Sequence, residues 1–168
     1  MDATTLSEAL EREHHEIDEG LAVFIREASN GDISLGSLHE AFDLLRRHIY
    51  LEETILFPPL RAAGLLGPVL VMLREHGEIW REMDAVQAQD RDGATHDDLV
   101  AATERLLEDL ARHNAKEEPI LYPQADLVLD GAQQDELRQF LEGGRMPDGW
   151  VAEQAVAAGD KPLHHFGS

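Results

Sequence analysis

The sequence contains no cysteine, and it is poor in positive charge. The absence of cysteine excludes disulfides, thiolate zinc sites, cysteine-ligated iron–sulfur clusters and cysteine nucleophiles. Lys and Arg number 14 against 34 Asp and Glu, so the formal net charge is −20. Because nucleic acids and anionic membrane surfaces attract basic patches, this imbalance argues against both kinds of partner.

Long apolar runs are also missing. No stretch approaches the roughly 20 apolar residues that span a bilayer. Residues 1–5 show neither a basic region nor a signal-type apolar run, so we expect a cytoplasmic protein. At 168 residues the chain is long enough to bury a core within one domain. We expect it to be a monomer or a homodimer.

Four long segments carry apolar residues at helical spacing, separated by short breaks rich in Gly, Pro and Asp. They cover roughly residues 5–28, 34–57, 68–89 and 95–121. Thr5 and Thr95 are placed to cap the first and fourth helices. Pro58 is expected to end or bend the second helix, and Pro119 to kink the fourth.

Short loops between helices of this length force antiparallel neighbours. The pattern therefore predicts an all-α protein with an up-down-up-down four-helix bundle over residues 1–130. Residues 132–142 resemble a short amphipathic fifth helix, and an irregular tail is expected from Gly143 onward, with Trp150 against the body. We expect residues 131–168, including the pair His164-His165, to pack on or trail from the same domain.

The most informative feature is an internal repeat of two motifs. Residues 47–58 and 112–123 share Arg-His, two adjacent Glu, Ile-Leu, an aromatic residue and Pro at the same offsets. Residues 12–17 and 74–79 share the pattern Arg-Glu-His-x-Glu-Ile. We interpret the two halves as helical hairpins related by a pseudo-two-fold axis.

Each hairpin contributes one inward His from its first helix and a His-x-x-x-Glu pair from its second. A His and a Glu four residues apart lie on one helical face. The match with His76 selects His14, rather than the adjacent His15, as the inward residue. The candidate metal ligands are therefore His14, His48, Glu52, His76, His113 and Glu117.

These six polar groups would be costly to bury in a bundle without partners. A single inward His is more often a hydrogen-bonded core residue than a ligand, but that interpretation does not explain the same spacing in both hairpins. Four imidazoles and two carboxylates exceed one tetrahedral zinc site. They suit two ions bridged by the glutamates and by an oxo or hydroxo group. Symmetry assigns His14 with His48 to one ion and His76 with His113 to the other.

Nitrogen and carboxylate donors with open octahedral positions favour two non-haem iron ions, with manganese or zinc as the less favoured cofactors. The motifs resemble the hemerythrin-like HHE cation-binding family over roughly residues 5–125. The resemblance implies a di-iron centre in a four-helix bundle, in the branch with four His and two Glu. Oxygen-carrying hemerythrins have a fifth His where this chain has Trp80, and an Asp where it has Glu118. Both differences argue against simple oxygen transport.

Four further residues lie close in sequence to the candidate ligands or within the repeated motifs. Glu53 and Glu118 are one helical step beyond the bridging glutamates, so we expect them to face a neighbouring helix or water. The alternative is a hydrogen bond that orients an imidazole. Tyr50 and Tyr122 are expected to pack in the core, with ligation or proton donation at the site as the alternative.

The expected function is binding or sensing of oxygen, or of a related small ligand such as peroxide or nitric oxide, at the di-iron centre. Two alternatives stay open. One is a catalase-like or nitric-oxide-processing di-iron oxidoreductase. The other is an iron storage or structural cation-binding protein.

Overall fold

The computed structural model describes residues 4–32 and 34–155, and within these ranges the regular secondary structure is entirely helical. The pair His164-His165 lies outside the described residues. The elements are α1 (Leu6–Ser29), α2 (Gly36–Leu51), a π-helical turn (Glu52–Leu56), α3 (Phe57–Ala62), α4 (Leu66–Arg91), α5 (His96–Ile120), α6 (Tyr122–Val128), α7 (Gly131–Gly143) and α8 (Glu153–Ala155). None of the described helices is long and apolar enough to cross a membrane.

Helices α1, α2, α4 and α5 form a four-helix bundle, which confirms the predicted fold class. Helix α1 packs against α2 and α5, and α4 packs against α5. The start of α1 shares an apolar cluster with the residue that follows α5, for example Leu10 with Leu121. The end of α1 shares a second cluster with the start of α2, for example Phe24 with Leu38. Neighbouring helices are therefore antiparallel.

Polar side chains cap the starts of α1 and α5. Thr5 and Thr95 cap α1 and α5, as predicted, by accepting the backbone N–H three residues ahead at 3.0 and 3.1 Å. Asp126 on α6 accepts the N–H groups of Leu6 and Ser7 at 2.9 and 3.1 Å. The chain after the fourth bundle helix thus closes the start of the first.

The second bundle helix continues past its predicted end near Phe57. A π-helical turn follows α2, and α3 extends the helix through Pro58 and Pro59 to Ala62. The two prolines lack the amide hydrogens that an α-helix would direct at the carbonyls four residues earlier. The wider π turn accommodates this loss, and such turns are frequent at functional sites.

The fourth bundle helix runs through Pro119 and is interrupted at Leu121. Helix α5 ends at Ile120, and the separate helix α6 begins at Tyr122, just before Pro123. The sequence did not predict α6, because its apolar pattern continues that of α5. Tyr122 follows the interruption, and its side chain is completely buried.

The chain after the bundle packs onto it. Helix α7 is the predicted fifth helix, and Asp130 and Gln133 cap it reciprocally. Trp150 lies edge-to-face against Tyr50 and Trp80, with ring centroids 5.0 and 5.5 Å apart. Helix α8, which was expected to be irregular chain, lies against α4.

Candidate metal centre

The centre lies in the middle of the bundle, between the two apolar clusters. On α1, for example, Leu10 belongs to one cluster and Ile17 to the other, with His14 between them. The six predicted ligands are all buried, with 4% or less of each residue exposed. Helical periodicity therefore brings a polar layer into an otherwise apolar core.

The structure brings the six side chains together as two groups of four. One group contains His14, His48, Glu52 and Glu117, and the other contains Glu52, His76, His113 and Glu117. Within each group the potential ligand atoms all lie within 4.8 Å of one another. The two glutamates belong to both groups, as bridging carboxylates would.

The imidazoles share one orientation, with Nε2 toward the centre and Nδ1 toward an outer carboxylate. The outer pairs are His14–Glu118 and His48–Glu13 at 2.7 Å, and His76–Glu53 and His113–Glu75 at 2.9 Å. A carboxylate acceptor favours the tautomer with the proton on Nδ1. Each inner Nε2 is then left with a lone pair, which is the form that binds a metal ion.

The four outer carboxylates were only partly predicted. Glu53 and Glu118 were expected to face a neighbouring helix or water; each faces a neighbouring helix, and there it contacts an imidazole, as the alternative proposed. The π turn over Glu52–Leu56 changes the helical step at Glu53, whose side chain is 4% exposed. Glu13 and Glu75 were noticed only as members of the repeat. Their recurrence immediately before His14 and His76 was the signal that could have identified them.

Two cationic side chains contact the outer carboxylates on the side away from the imidazoles. Arg47 donates from Nη1 to Glu13 at 3.2 Å, and Lys116 donates from Nζ to Glu75. The hydrogen bond to His113, together with Lys116, lowers the pKa of Glu75 to about 2. Glu75 is therefore ionised at neutral pH and can orient the imidazole of His113 as an anion.

The centre attracts positive charge. Burial alone lowers the pKa of His76, but Glu52 and Glu53 outweigh this effect and raise the pKa to about 10. Burial likewise raises the pKa of Glu117, but His113 and His14 outweigh it and hold the pKa well below its usual range. Protons or metal ions are the positive charges that such a site can accept.

The second group leaves polar atoms without partners. Among the residues that the structure describes, the buried side-chain atoms lacking a hydrogen bond are Glu52 Oε1, His76 Nε2 and Glu117 Oε2. His76 Nε2 lies 3.1 Å from Glu52 Oε1 and 3.8 Å from Glu117 Oε2. Unpaired buried groups of this kind are costly, and all three are of the type that binds metal. The residues therefore fit a bound cation.

The first group is filled by the side chain of Tyr122, for which core packing was expected and a role at the site was the alternative. The hydroxyl oxygen of Tyr122 lies 2.7 Å from His14 Nε2 and 3.0 Å from His48 Nε2. It also lies 2.6 Å from Glu52 Oε2 and 3.0 Å from Glu117 Oε1. Burial and the two carboxylates raise the pKa of Tyr122 well above its usual value, so the phenol keeps its proton here.

The two other aromatic residues near the motifs pack against neighbouring side chains, Trp80 in the core and Tyr50 in a half-buried position. Tyr50 contacts Phe140 and Trp150, with ring centroids 5.4 and 5.0 Å apart. Trp80, at the position of the fifth His of oxygen carriers, lies under the guanidinium of Arg46 at 5.3 Å. Neither residue belongs to the two ligand groups.

A small cavity adjoins the four imidazoles. Apolar side chains close it, and Asn114 adds a neutral polar group; the apolar residues are Ile17, Leu45, Ile49, Ile79 and Leu110. It leaves about 10 Å³ for the centre of a water-sized sphere. This is room for about one water molecule.

Comparison with known proteins agrees with this geometry. Residues 5–125 match the family model described as the hemerythrin HHE cation binding domain. No curated protein and no solved structure shows a significant match to the chain. The matched span includes most of the 168 residues and all six members of the polar layer. The chain therefore belongs to the hemerythrin HHE cation-binding domain family.

Proposed function

We propose that the chain binds two iron ions and uses this non-haem centre to bind or sense oxygen, peroxide or nitric oxide. The observation that supports this most directly is the pair of four-residue groups that share Glu52 and Glu117. Each ion takes two imidazoles and both glutamates as donors. His14 and His48 serve one ion, and His76 and His113 serve the other.

The charge of the layer supports two divalent ions. Six carboxylates surround the imidazoles: Glu13, Glu52, Glu53, Glu75, Glu117 and Glu118. Arg47 and Lys116 contact this set, and the more exposed Arg74 lies 3.9 Å from Glu75, so three negative charges remain with neutral imidazoles. Burying that excess without counter-charge would be strongly unfavourable. Divalent cations supply the counter-charge.

The donor types favour iron among the divalent metals. Thiolates are absent because the sequence has no cysteine. Four protein donors would complete the tetrahedral site that structural zinc prefers. They leave an octahedral ion with open positions, and nitrogen and carboxylate donors with open positions are typical of non-haem iron. Manganese is the nearest alternative.

The size of the cavity limits the ligand. Room for about one water molecule admits a diatomic molecule or peroxide and excludes a larger organic substrate. Iron, when bound, supplies the redox chemistry with such a ligand. The chain holds the donors, and Ile17, Leu45 and Ile79 keep bulk water away from them.

Metal analysis and absorption spectra test this proposal. The metal-free chain is loaded with Fe(II) under argon, and bound iron is measured by mass spectrometry. Spectra are then recorded under argon, in air and with azide. We expect two irons per chain and a charge-transfer spectrum that changes with azide. Fewer than two irons, or preferential binding of zinc with no such band, would overturn the di-iron proposal.

The response to oxygen and peroxide separates the functions. Oxygen-dependent spectra that reverse under argon support binding or sensing, whereas sustained peroxide consumption supports the enzyme alternative. Glu52→Ala should abolish either response together with iron binding. Glu40→Ala is the matched control, because Glu40 is exposed on the same helix.

A further inference from the structure

The two ligand groups are not equivalent, although the sequence repeat makes them look so. The hydroxyl oxygen of Tyr122 contacts a donor atom of every member of the first group, at 2.6–3.0 Å. The corresponding residue in the other half of the repeat is Phe57, which has no oxygen. Its ring stacks on His76 with centroids 5.5 Å apart and planes 18° apart.

The buried atoms that lack a hydrogen-bond partner also distinguish the two ligand groups. The three buried side-chain atoms without a partner, among the described residues, can all act as ligands in the second group. In the first group, with neutral imidazoles protonated at Nδ1, the single hydroxyl proton of Tyr122 is shared among four acceptor atoms. It cannot satisfy two carboxylate oxygens and two imidazole nitrogens whose Nδ1 atoms face other carboxylates. A cation at this point would satisfy all four.

On this basis, which rests on the proposed di-iron function, we propose that Tyr122 is a fifth protein ligand to the ion held by His14 and His48. Metal–nitrogen and metal–oxygen bonds are about 2.0–2.2 Å long. An ion held by all four side chains of this group therefore takes roughly the point that the phenol oxygen fills. The side chain of Tyr122 would have to shift so that its oxygen moves away from this point when an ion enters.

The packing of Tyr122 decides how far its oxygen can withdraw. The ring is completely buried among apolar residues of the cluster that contains Leu10 and Leu121, including Leu6 and Leu51. Because these side chains enclose the ring, we expect its oxygen to stay beside the ion rather than to turn toward solvent. Ligation exchanges the phenol O–H bond for an O–metal bond, and the proton is released to the solvent.

A consequence is that the open positions are concentrated on the other ion. The ion at His14 and His48 gains a third type of donor, whereas the ion at His76 and His113 keeps four protein donors. The small ligand then binds at the ion beside Phe57. The asymmetry arises from one oxygen atom, the para substituent that distinguishes Tyr122 from Phe57.

Iron loading with vibrational spectroscopy tests the proposal. The chain is loaded with Fe(II) under argon and oxidised in air, and iron content, visible absorption and resonance Raman spectra are recorded. We expect a phenolate-to-Fe(III) charge-transfer band with enhanced phenolate ring modes. Tyr122→Phe should keep two irons per chain and lose both the band and the modes.

Tyr50→Phe is the matched control. The sequence has two tyrosines, so this variant leaves Tyr122 as the only phenol. The band and ring modes should persist, and this assigns them to Tyr122 even if Tyr122→Phe fails to fold.

Each outcome separates the ligand proposal from the di-iron proposal. Two irons in the unmodified chain without phenolate modes overturn the role of Tyr122 and leave the di-iron function standing. One iron in the unmodified chain and two in Tyr122→Phe show that the phenol blocks the first group, which overturns both. Phenolate modes that vanish in Tyr50→Phe overturn the assignment to Tyr122.

Discussion

The carboxylate of Glu13 lies 2.7 Å from Nδ1 of His48, so the residue before the first inward histidine orients the histidine of the next helix. Glu75 does the same for His113 at 2.9 Å. The two residues of the repeated dipeptide Glu-His thus have different roles. Its histidine belongs to the polar layer, and its glutamate supports the layer from the neighbouring helix.

Removing this support should weaken metal binding without removing a ligand. Glu13→Gln keeps an acceptor for His48 but loses the negative charge that balances the imidazole and Arg47. We expect the affinity for Fe(II) to fall roughly 10–100-fold, as for other outer partners of metal ligands. Competition with a chelator measures the change. Glu16→Gln, exposed on the same helix, should have no effect; equal affinities in all three proteins would contradict the role of Glu13.

The adjacent histidines of α1 provide a direct test of the ligand assignment. His14 is 4% exposed and faces the centre, whereas His15 is on the surface. We expect His14→Ala to bind at most one iron per chain and His15→Ala to bind two. Iron analysis, with far-UV circular dichroism to check folding, makes the comparison. Equal iron content in two folded variants would remove His14 from the site.

The metal-free chain should become less stable as the pH rises. The raised pKa of His76, about 10, means that its stabilising contribution is complete below 6.5 and is lost as the pH rises through 10. Burial and Asp109 raise the pKa of Glu82 to about 8, and its contribution is lost in the same direction. We expect the Tm in the presence of a chelator to fall across this range.

Two comparisons isolate the part due to the centre. Glu82→Gln removes the contribution of Glu82 and should leave a fall toward pH 10. The iron-loaded chain should show a smaller fall, because the ions replace the protons that the metal-free centre holds. A metal-free Tm that is unchanged between pH 6.5 and 10 would show that His76 is not held in its charged form by Glu52 and Glu53.

The contact between α4 and α8 depends on a glycine, Gly77, because there is no room for a larger residue. A Cβ atom at Gly77 would lie 2.7 Å from the backbone carbon of Gln154, so Gly77→Ala must displace the C-terminal segment. We expect a loss of about 1–3 kcal/mol in urea unfolding, together with faster proteolysis near Gln154. Gly67→Ala on the same helix meets nothing within 4 Å. It should leave stability equal or higher by up to about 1 kcal/mol, and equal losses in both variants would contradict the packing argument.

The sequence was sufficient for the bundle and for the contents of its polar layer. Helix periodicity is a local property, so the spacing of His48 and Glu52 already places both on one face. The repeat then selected His14 over His15, and the structure buries the first and exposes the second. Thr5 and Thr95 were recognisable as caps for the same reason, since a cap acts within one turn.

Boundaries near proline were harder to predict. A π turn precedes Pro58 and the second bundle helix continues, whereas the fourth bundle helix runs through Pro119 and is interrupted at Leu121, so that α6 begins at Tyr122. Both sites remove backbone donors, and the sequence alone does not show which adjustment the surrounding packing favours. The different outcomes place Phe57 against His76 and Tyr122 in the middle of the first group.

By itself, then, the sequence determined which donor residues share each helix face. It also determined that the two hairpins contribute the same set of donors. Only the tertiary structure decided which carboxylate meets which imidazole, because those partners lie on different helices and depend on helix rotation. His14 and Glu118, for example, are 104 residues apart in the chain and 2.7 Å apart in space. The contacts of the Tyr122 phenol were likewise decided by the tertiary structure. Periodicity can make a residue inward, but packing between helices determines which atoms it meets there.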